Sequence, residues 1–260
     1  MNDVYIGLYK LNTNHYLGEG AFATVHSATS CRDLKPVAIK IDKNININSL
    51  KHEANIIAYL NKHLPNADFV PTLYWYGMFA NRATMVVSMC QPVLTINPIE
   101  VITILEAIHS VNIIHCDIKP DNFMMKAGKL VLIDFGLART PVVKRVATTT
   151  LCGNPRYASY FIYLGQMPIY RDDLISAGYI FMELCGCPFS VIEPTEVIDD
   201  SIFHITNIQR RQQRTLAALL SLKIPKHLMQ YFEYLYQDDL QTVDYTYLMS
   251  LFDNPETTIL

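Results

Sequence analysis

One short segment constrains this chain more than any other feature: His115–Asn122, with the sequence HCDIKPDN. A carboxylate at Asp117, an ammonium group at Lys119 and a side-chain amide at Asn122 follow one another within it. A carboxylate can accept a hydroxyl proton, an ammonium group can offset charge on a phosphate, and an amide oxygen can bind a divalent cation. The segment therefore predicts a loop suited to phosphoryl-transfer chemistry, with Asp117, Lys119 and Asn122 as its catalytic residues.

A second acidic motif, Asp134-Phe135-Gly136, directly follows the apolar run Leu130–Ile133, which reads as a strand. A carboxylate at a strand end can chelate Mg²⁺ that bridges phosphate groups. Asp134 and Asn122 are thus the predicted metal ligands. Either motif alone would be weak support, but chance is a poor explanation for both in this order and at this spacing.

Upstream, Gly18–Val25 (GEGAFATV) has the pattern of a phosphate-binding glycine loop, with Ala23 where a third glycine would stand. Such a loop is weak evidence alone, because hairpin turns use glycine for the same backbone freedom. Here the strand 37–41 follows, and its Lys40 is predicted to contact the α- and β-phosphates. Gly18, Gly20 and Lys40 therefore support one another as nucleotide-binding residues.

From Ser49 the apolar period becomes helical, and Pro65 ends it. Glu53 lies on the same stripe as Leu50, Ile57, Leu60 and Leu64. An inward carboxylate on an apolar face is costly unless it is paired. We therefore predict an ion pair between Glu53 and Lys40.

The remaining patterns predict an α+β chain with a β-rich first part and a larger helical second part. Gln91-Pro92 reads as a linker, and Asn97-Pro98 is a strong helix start. The other predicted elements are strands at 24–27, 73–79 and 84–89, and helices at 97–109, 172–185, 206–222 and 226–236.

Composition argues against several other classes of protein. The 260 residues carry 21 basic and 24 acidic side chains, a formal net charge of −3, so direct nucleic-acid binding is not expected. The longest apolar stretch, 174–189, is too short and interrupted to cross a membrane, and residues 1–10 do not form a signal peptide. The six cysteines lack zinc-site spacing. We expect an intracellular protein, cytoplasmic or nuclear, and in a host cell if viral.

Together these motifs resemble the eukaryotic protein kinase family, from about Tyr16 to Phe252. The resemblance implies one bilobal kinase domain over 1–260, with an antiparallel N-lobe (about 1–88), a hinge (about 88–95) and a mainly helical C-lobe (about 96–260). It implies ATP and Mg²⁺ as cofactors and a protein substrate with a Ser or Thr acceptor, since Lys119 is typical of serine/threonine kinases. By the same resemblance, Ser88 and Cys90 would bond adenine, Val25 and Ala38 would cover its ring, and Val87 would be the gatekeeper.

A finer similarity lies downstream. Residues 156–159 (RYAS), 171–174 (RDDL) and 244–252 resemble the casein kinase I and vaccinia-related kinase group, which lacks the usual Ala-Pro-Glu. This resemblance implies that Asp173 is the buried aspartate that holds the catalytic-loop backbone. It also implies acidic or already phosphorylated substrates, bound by Arg156 with Arg210 or Arg211. For the arginines at 210, 211 and 214, the plainer interpretation is a solvated helix face.

The chain also departs from the family. Cys116 stands where Arg is usual, so we predict activity without phosphorylation of the activation loop. Asn154 stands where Thr is usual, which is expected to affect the orientation of Asp117 and Lys119. The span between the hinge and His115 is short, which predicts a shortened or missing first C-lobe helix and resembles compact viral or parasite kinases.

Two other functions remain open at the level of sequence. A pseudokinase scaffold is consistent with Ala23, Cys116 and Asn154, but such proteins usually lack equivalents of the lysine and aspartates present here. A small-molecule kinase of the aminoglycoside or choline type also has His-x-Asp-x-x-x-x-Asn. Lys119, the intact Asp-Phe-Gly and the Arg156 segment favour protein substrates.

Overall fold

The computed structural model describes residues 3–20, 22–44, 49–142, 147–187, 201–238, 240 and 242–253, without the side chains of residues 13–15 and 49. Ala21, in the glycine loop, therefore lies outside the described residues. The chain divides into two compact units. The first contains Met1–Leu94 and Phe123–Gly136, and the second contains Thr95–Asn122 and Leu137–Leu260. The hairpin at 123–136, predicted as part of the C-lobe, thus groups with the first unit.

The first unit is built on a six-stranded antiparallel sheet in the order β1-β2-β3-β4-β6-β5. Its strands are β1 (Val4–Ile6), β2 (Tyr9–Glu19), β3 (Ala23–Ser30), β4 (Pro36–Asp42), β5 (Leu73–Phe79) and β6 (Arg82–Ser88). On one face, Ile6, Ala28, Val37, Ile39 and Val86 form a buried apolar cluster. Because side chains alternate along a strand, Ala38 and Lys40 of β4 point to the opposite face.

Helix α1 (Ser49–His63) packs against β4, β5 and β6. The predicted inward stripe is confirmed: Leu50, Glu53, Ile57 and Leu60 are all buried, while Leu64 lies beyond the helix end and is partly buried. Glu53 is the one acidic residue on this buried stripe.

A second, three-stranded sheet consists of β7 (Gln91–Pro92), β8 (Phe123–Lys126) and β9 (Lys129–Leu132). The interpretation of Gln91-Pro92 as a linker was wrong, because these residues pair with β8 in the register Gln91↔Met125. Proline is tolerated there because β7 is an edge strand. Strand β9 ends at Leu132, two residues before Asp134, whereas the predicted strand ended at Ile133.

The second unit is mainly helical. Its helices are α2 (Pro98–Ser110), α3 (Tyr160–Tyr163), α4 (Tyr170–Leu184), α5 (Ile205–Gln213), α6 (Leu216–Leu220), α7 (Lys226–Leu235) and α8 (Tyr245–Ser250). Helix α4 is buried from Arg171 to Met182, and α2 and α7 pack against it. The predicted cap of α2 is confirmed, since Asn97 Oδ1 accepts from Ile99 N at 2.8 Å. Within 93–119, all of which the structure describes, α2 is the sole helix.

One predicted helix, 206–222, was wrong in its length, because the chain breaks it into α5 and α6. Thr215 stands at the break, and its hydroxyl accepts from Ala218 N at 3.2 Å. A threonine cap of this kind favours a new helix start over continuation of the old helix. The predicted α+β class is otherwise confirmed. Among the described residues, no helix combines the length and apolar character needed to cross a membrane.

Candidate active site

The first unit assembles the lysine, glutamate and aspartate that the sequence singled out. Lys40 Nζ lies 2.6 Å from Glu53 Oε1 and 3.4 Å from Asp134 Oδ1. Burial alone would lower the pKa of Lys40, but the carboxylates of Glu53 and Asp134 outweigh it and raise that pKa. Lys40 is therefore held as a cation. The predicted ion pair between Lys40 and Glu53 is confirmed.

One further contact holds the Asp-Phe-Gly segment in this cluster. The backbone N–H of Phe135 donates to the Glu53 carboxylate, and Phe135 itself is fully buried. Asp134 adopts a left-handed backbone with φ 67°, a conformation that Asp tolerates better than most residues. Its side chain is 44% exposed. Asp134 thus presents a carboxylate to solvent beside the lysine ammonium group.

The glycine loop closes the hairpin between β2 and β3. Gly18 pairs with Val25, and Gly20 N donates to Ala23 O at 2.9 Å. A Cβ added at Gly18 or Gly20 would meet nothing within 4 Å, and neither residue has a positive φ. Neither local packing nor a positive φ therefore requires glycine at these two positions.

The face of the sheet that carries Lys40 also carries the residues assigned to adenine. In the sheet register, Val25 lies opposite Lys40, and Ala38 lies opposite Val87, so all four side chains share one face. Ser88 is buried, and its N–H donates to Thr72 O at 3.0 Å. The Ser88 N–H therefore already has a hydrogen-bond acceptor within the first unit.

Cys90 lies beyond the end of β6 and is partly buried. Its Sγ lies 3.7 Å from Ser88 O, to which the thiol can donate. Of the two residues assigned to adenine bonding, Cys90 is thus the one outside the strand ladder.

In the second unit, the acidic, basic and amide side chains of the 115–122 loop converge. Lys119 Nζ lies 2.6 Å from Asp117 Oδ2, and Asn122 Nδ2 donates to the same oxygen at 3.2 Å and to Asp117 O at 2.8 Å. The other carboxylate oxygen accepts from Asn154 N at 3.0 Å. Asp117 is 8% exposed, so these bonds hold its carboxylate in a single orientation.

Asp173, on α4, holds this loop through hydrogen bonds to its backbone. Its Oδ2 accepts from His115 N at 2.7 Å, and its Oδ1 accepts from Cys116 N at 2.9 Å. The predicted role of Asp173 is therefore confirmed. His115 is fully buried and its Nδ1 lies 3.3 Å from Asp117 N, so it packs and hydrogen-bonds within the loop.

Two supporting residues were missed by sequence reasoning. His109 Nε2 lies 3.0 Å from Asp173 Oδ2, and His109 Nδ1 lies 2.6 Å from Tyr245 Oη. The only signal in the sequence was a histidine at the end of an apolar helix, which is typical of an ordinary core position. Tyr245 comes from α8, far along the chain.

The comparison with known families decides what this arrangement belongs to. A family model described as the protein kinase domain matches residues 95–241, more than half of the chain. The chain belongs to the protein kinase family. The matched residues include the Asp117 loop, the Asp-Phe-Gly motif and Asp173, whereas the glycine loop and Lys40 lie before them. For those earlier residues, the geometry of the first unit is the supporting evidence.

The residues of this kinase fit a Mg²⁺–nucleotide complex. Within the described residues, no group of three His, Cys, Asp or Glu side chains could hold a metal ion. Mg²⁺ commonly binds through one or two protein oxygens together with substrate phosphates. Each unit offers one donor of that kind: in the first unit Asp134 is partly exposed, and in the second unit Asn122 turns its amide nitrogen toward Asp117, which leaves its amide oxygen for a cation.

Asn154 makes two different hydrogen bonds, one through its side chain and one through its backbone. Its Oδ1 accepts from Arg156 N at 2.8 Å, while its backbone N–H holds Asp117. The contact with the catalytic carboxylate is therefore made by the backbone and is independent of whether Asn or Thr stands here.

The arginines assigned to substrate binding differ in exposure and in the partners of their side chains. Arg156 is 48% exposed and donates to Glu183 Oε1 at 2.9 Å, whereas Arg210 is buried and donates to Asn207 Oδ1 at 3.0 Å. Arg211 is partly exposed on α5. Arg214 is buried too, and it donates to Ala158 O and Arg156 O. The plainer interpretation, a solvated arginine face, was wrong for Arg210 and Arg214.

Proposed function

We propose that this chain is an active serine/threonine protein kinase that uses ATP and Mg²⁺. The observation that carries the proposal is the Lys40–Glu53 ion pair, completed by Asp134 and the Phe135 N–H. A buried glutamate paired with a lysine is costly to maintain, and its natural use is to hold that lysine for phosphate. A scaffold without catalysis would not need it.

In this proposal, Lys40 binds the α- and β-phosphates, and Gly18 and Gly20 let backbone amides approach them. Mg²⁺, held by Asp134 and Asn122, would neutralise charge on the transferred phosphate. Asp117 orients the acceptor hydroxyl and takes its proton, and Lys119 turns from Asp117 toward the phosphate.

The substrate class rests on fewer observations. Lys119 supports Ser or Thr acceptors, as it does in the casein kinase I and vaccinia-related kinases that the chain resembles, among them compact viral or parasite members. Arg156 supports acidic or already phosphorylated substrates, because its guanidinium is half exposed and already binds a carboxylate, Glu183. A substrate phosphate would compete with Glu183 for it. Of the two arginines proposed to act with Arg156, Arg211 is partly exposed and Arg210 is buried.

Activity without prior phosphorylation is supported by the contacts of the catalytic loop. Asp173 and Asn154 already hold Cys116 and Asp117 through backbone N–H groups. No phosphate is needed for these bonds. A preparation treated with phosphatase should therefore keep its activity.

The decisive test is incubation with labelled ATP, Mg²⁺ and dephosphorylated casein, beside Asp117→Asn. We expect label on serine and threonine, and a loss of about 10²- to 10⁴-fold in the variant, the usual contribution of a positioned acid or base. Nucleotide binding without transfer, seen as a Mg²⁺-dependent thermal shift by ATP, would favour the scaffold. Label on choline or an aminoglycoside, with none on protein, would favour a small-molecule kinase.

A further inference from the structure

Two cysteines lie side by side in the second unit. Cys116 directly precedes Asp117, and Cys152 lies in the segment whose Asn154 holds the Asp117 carboxylate. Both are free and partly exposed, and both line the same small cavity. Each thiol shifts the pKa of the other.

The backbone holds these two segments in contact. Gly153 has φ +86°, and a Cβ built on it would lie 2.3 Å from Cys116 O. One residue further along each segment, Asn154 N donates to Asp117 Oδ1 at 3.0 Å. The proximity of Cys116 and Cys152 is therefore part of the packing of the catalytic loop.

A third residue gives the two thiols different reactivity. Arg139 is tied to the loop by a pair of backbone hydrogen bonds with Ile114, at 2.8 and 2.9 Å. The neighbouring Cys116 thiol and the Arg139 guanidinium lower the pKa of Cys152 despite burial. The neighbouring Cys152 thiol and burial raise the pKa of Cys116 well above its ordinary value. The Cys116 thiol can donate to Ile114 O, at 3.7 Å. Cys152 is thus the more readily ionised thiol, and the thiolate is the form that reacts with oxidants.

We propose that Cys116 and Cys152 form a peroxide-sensitive dithiol, whose oxidation to a disulfide reversibly inhibits the kinase. The Cys152 thiolate attacks one oxygen of hydrogen peroxide, breaks the O–O bond and becomes a sulfenic acid, and the displaced hydroxide takes a proton to form water. The Cys116 thiol then attacks the sulfenic sulfur and releases a second water. The two thiols are oxidised by two electrons, and one peroxide is reduced to two waters.

Inhibition follows from geometry and rests on the proposed function. A disulfide bond is about 2 Å long, shorter than any contact between two sulfur atoms that are not bonded. Its formation pulls Cys116 toward Cys152 and shifts the adjacent Asp117, whose position its hydrogen bonds otherwise fix. Misplacement of a catalytic group by about 1 Å costs up to about 10²-fold in rate.

The cross-link is tested independently of activity. The whole protein is treated with hydrogen peroxide, alkylated, and digested without reduction by trypsin and a glutamate-specific protease. The sequence then leaves Cys116 alone in peptide 107–126 and Cys152 alone in peptide 146–156. We expect these two peptides joined, and separated again by dithiothreitol. Separate sulfinic or alkylated products, with no joined peptide, would overturn the proposal.

Activity is measured on the same samples. We expect a loss of about tenfold or more on oxidation, full recovery with dithiothreitol, and resistance in Cys152→Ser. Cys31→Ser removes an exposed cysteine of the first unit and should respond as the original chain does. Formation of the joined peptide with unchanged phosphorylation would overturn the inhibitory role. If the reduced protein phosphorylates nothing, the proposed function fails, and the peptide measurement still decides whether the dithiol forms a disulfide.

Discussion

The hydroxyl of Tyr245 lies 2.6 Å from Nδ1 of His109, and this contact joins helix α8 to helix α2. One neutral histidine tautomer satisfies both neighbours: Nε2–H donates to Asp173, and Nδ1 accepts from Tyr245. Burial, together with the Asp173 carboxylate, raises the pKa of Tyr245, so its phenol stays protonated and can donate. Tyr245 thus helps to hold His109, and through it Asp173, in place.

Tyr245→Phe should lower both stability and turnover modestly. Loss of a buried hydrogen bond costs about 1 kcal/mol, and a less constrained Asp173 should lower kcat several-fold while KM for ATP stays unchanged. Urea denaturation and steady-state kinetics measure the two effects. The matched control is Tyr247→Phe on the same helix, whose hydroxyl has no part in this network. Equal kcat values for the two variants would contradict a positioning role for Tyr245.

Lys40→Met should be damaging for two separable reasons. It removes the phosphate-binding cation, and it leaves Glu53 buried without its partner, which typically costs about 3–5 kcal/mol. The double variant Lys40→Met/Glu53→Gln should recover part of the lost stability but none of the activity. Chemical denaturation and phosphate transfer, measured on both variants, test this. Recovery of activity in the double variant would show that Lys40 matters only for stability.

Much of the candidate site could be predicted because its residues are close in sequence or follow a local pattern. Asp117, Lys119 and Asn122 share one loop, so their order alone limits the distances between them. The Lys40–Glu53 pair could be predicted because an acidic residue on the buried stripe of α1 needs a cation. Helix α2 could be predicted from its cap.

The features that the sequence did not predict depend on distant parts of the chain. The contact between His109 and Tyr245 joins two helices far apart in sequence, and no local sequence pattern predicts it. Arg210 and Arg214 carry charges typical of a solvent-facing helix, yet Arg214 is buried because backbone carbonyls such as Arg156 O accept its hydrogen bonds. Tertiary packing decided those positions.

The stability of the second unit should depend on pH through Asp172. Burial raises the pKa of Asp172 from 3.8 to about 6, although the Ser159 hydroxyl and Ile169 N–H both donate to its carboxylate. A carboxyl group with a raised pKa binds its proton more tightly in the folded state. Its contribution to the free energy of unfolding is therefore complete below about pH 4 and is lost as the pH rises to about 6.

Comparison with Asp172→Asn isolates this contribution. The amide side chain of the variant does not titrate in this range. The free energy of unfolding of the original chain, relative to that of the variant, should therefore fall between pH 4 and 6, by roughly 3 kcal/mol at most. Any cost of replacing the carboxylate oxygen changes the free energy of unfolding by an amount that does not depend on pH. Urea denaturation of both proteins from pH 4.5 to 7.5 measures the difference. A difference that does not vary with pH would show that Asp172 is ionised throughout.

Gly153→Ala should destabilise the catalytic loop by more than the cost of placing alanine in a left-handed backbone conformation. Gly153 has φ +86°, and its added Cβ would lie 2.3 Å from Cys116 O, so the loop segments must separate. Gly186 offers a matched control, since it has φ +64° and nothing within 4 Å of an added Cβ. Gly186→Ala should cost only the left-handed conformation, about 1–2 kcal/mol. Gly153→Ala should cost more than this in urea denaturation and lower kcat by at least about tenfold, because Asn154 can no longer hold Asp117. Equal losses of stability, with normal turnover in both variants, would mean that the contact between Gly153 and Cys116 does not position the catalytic carboxylate.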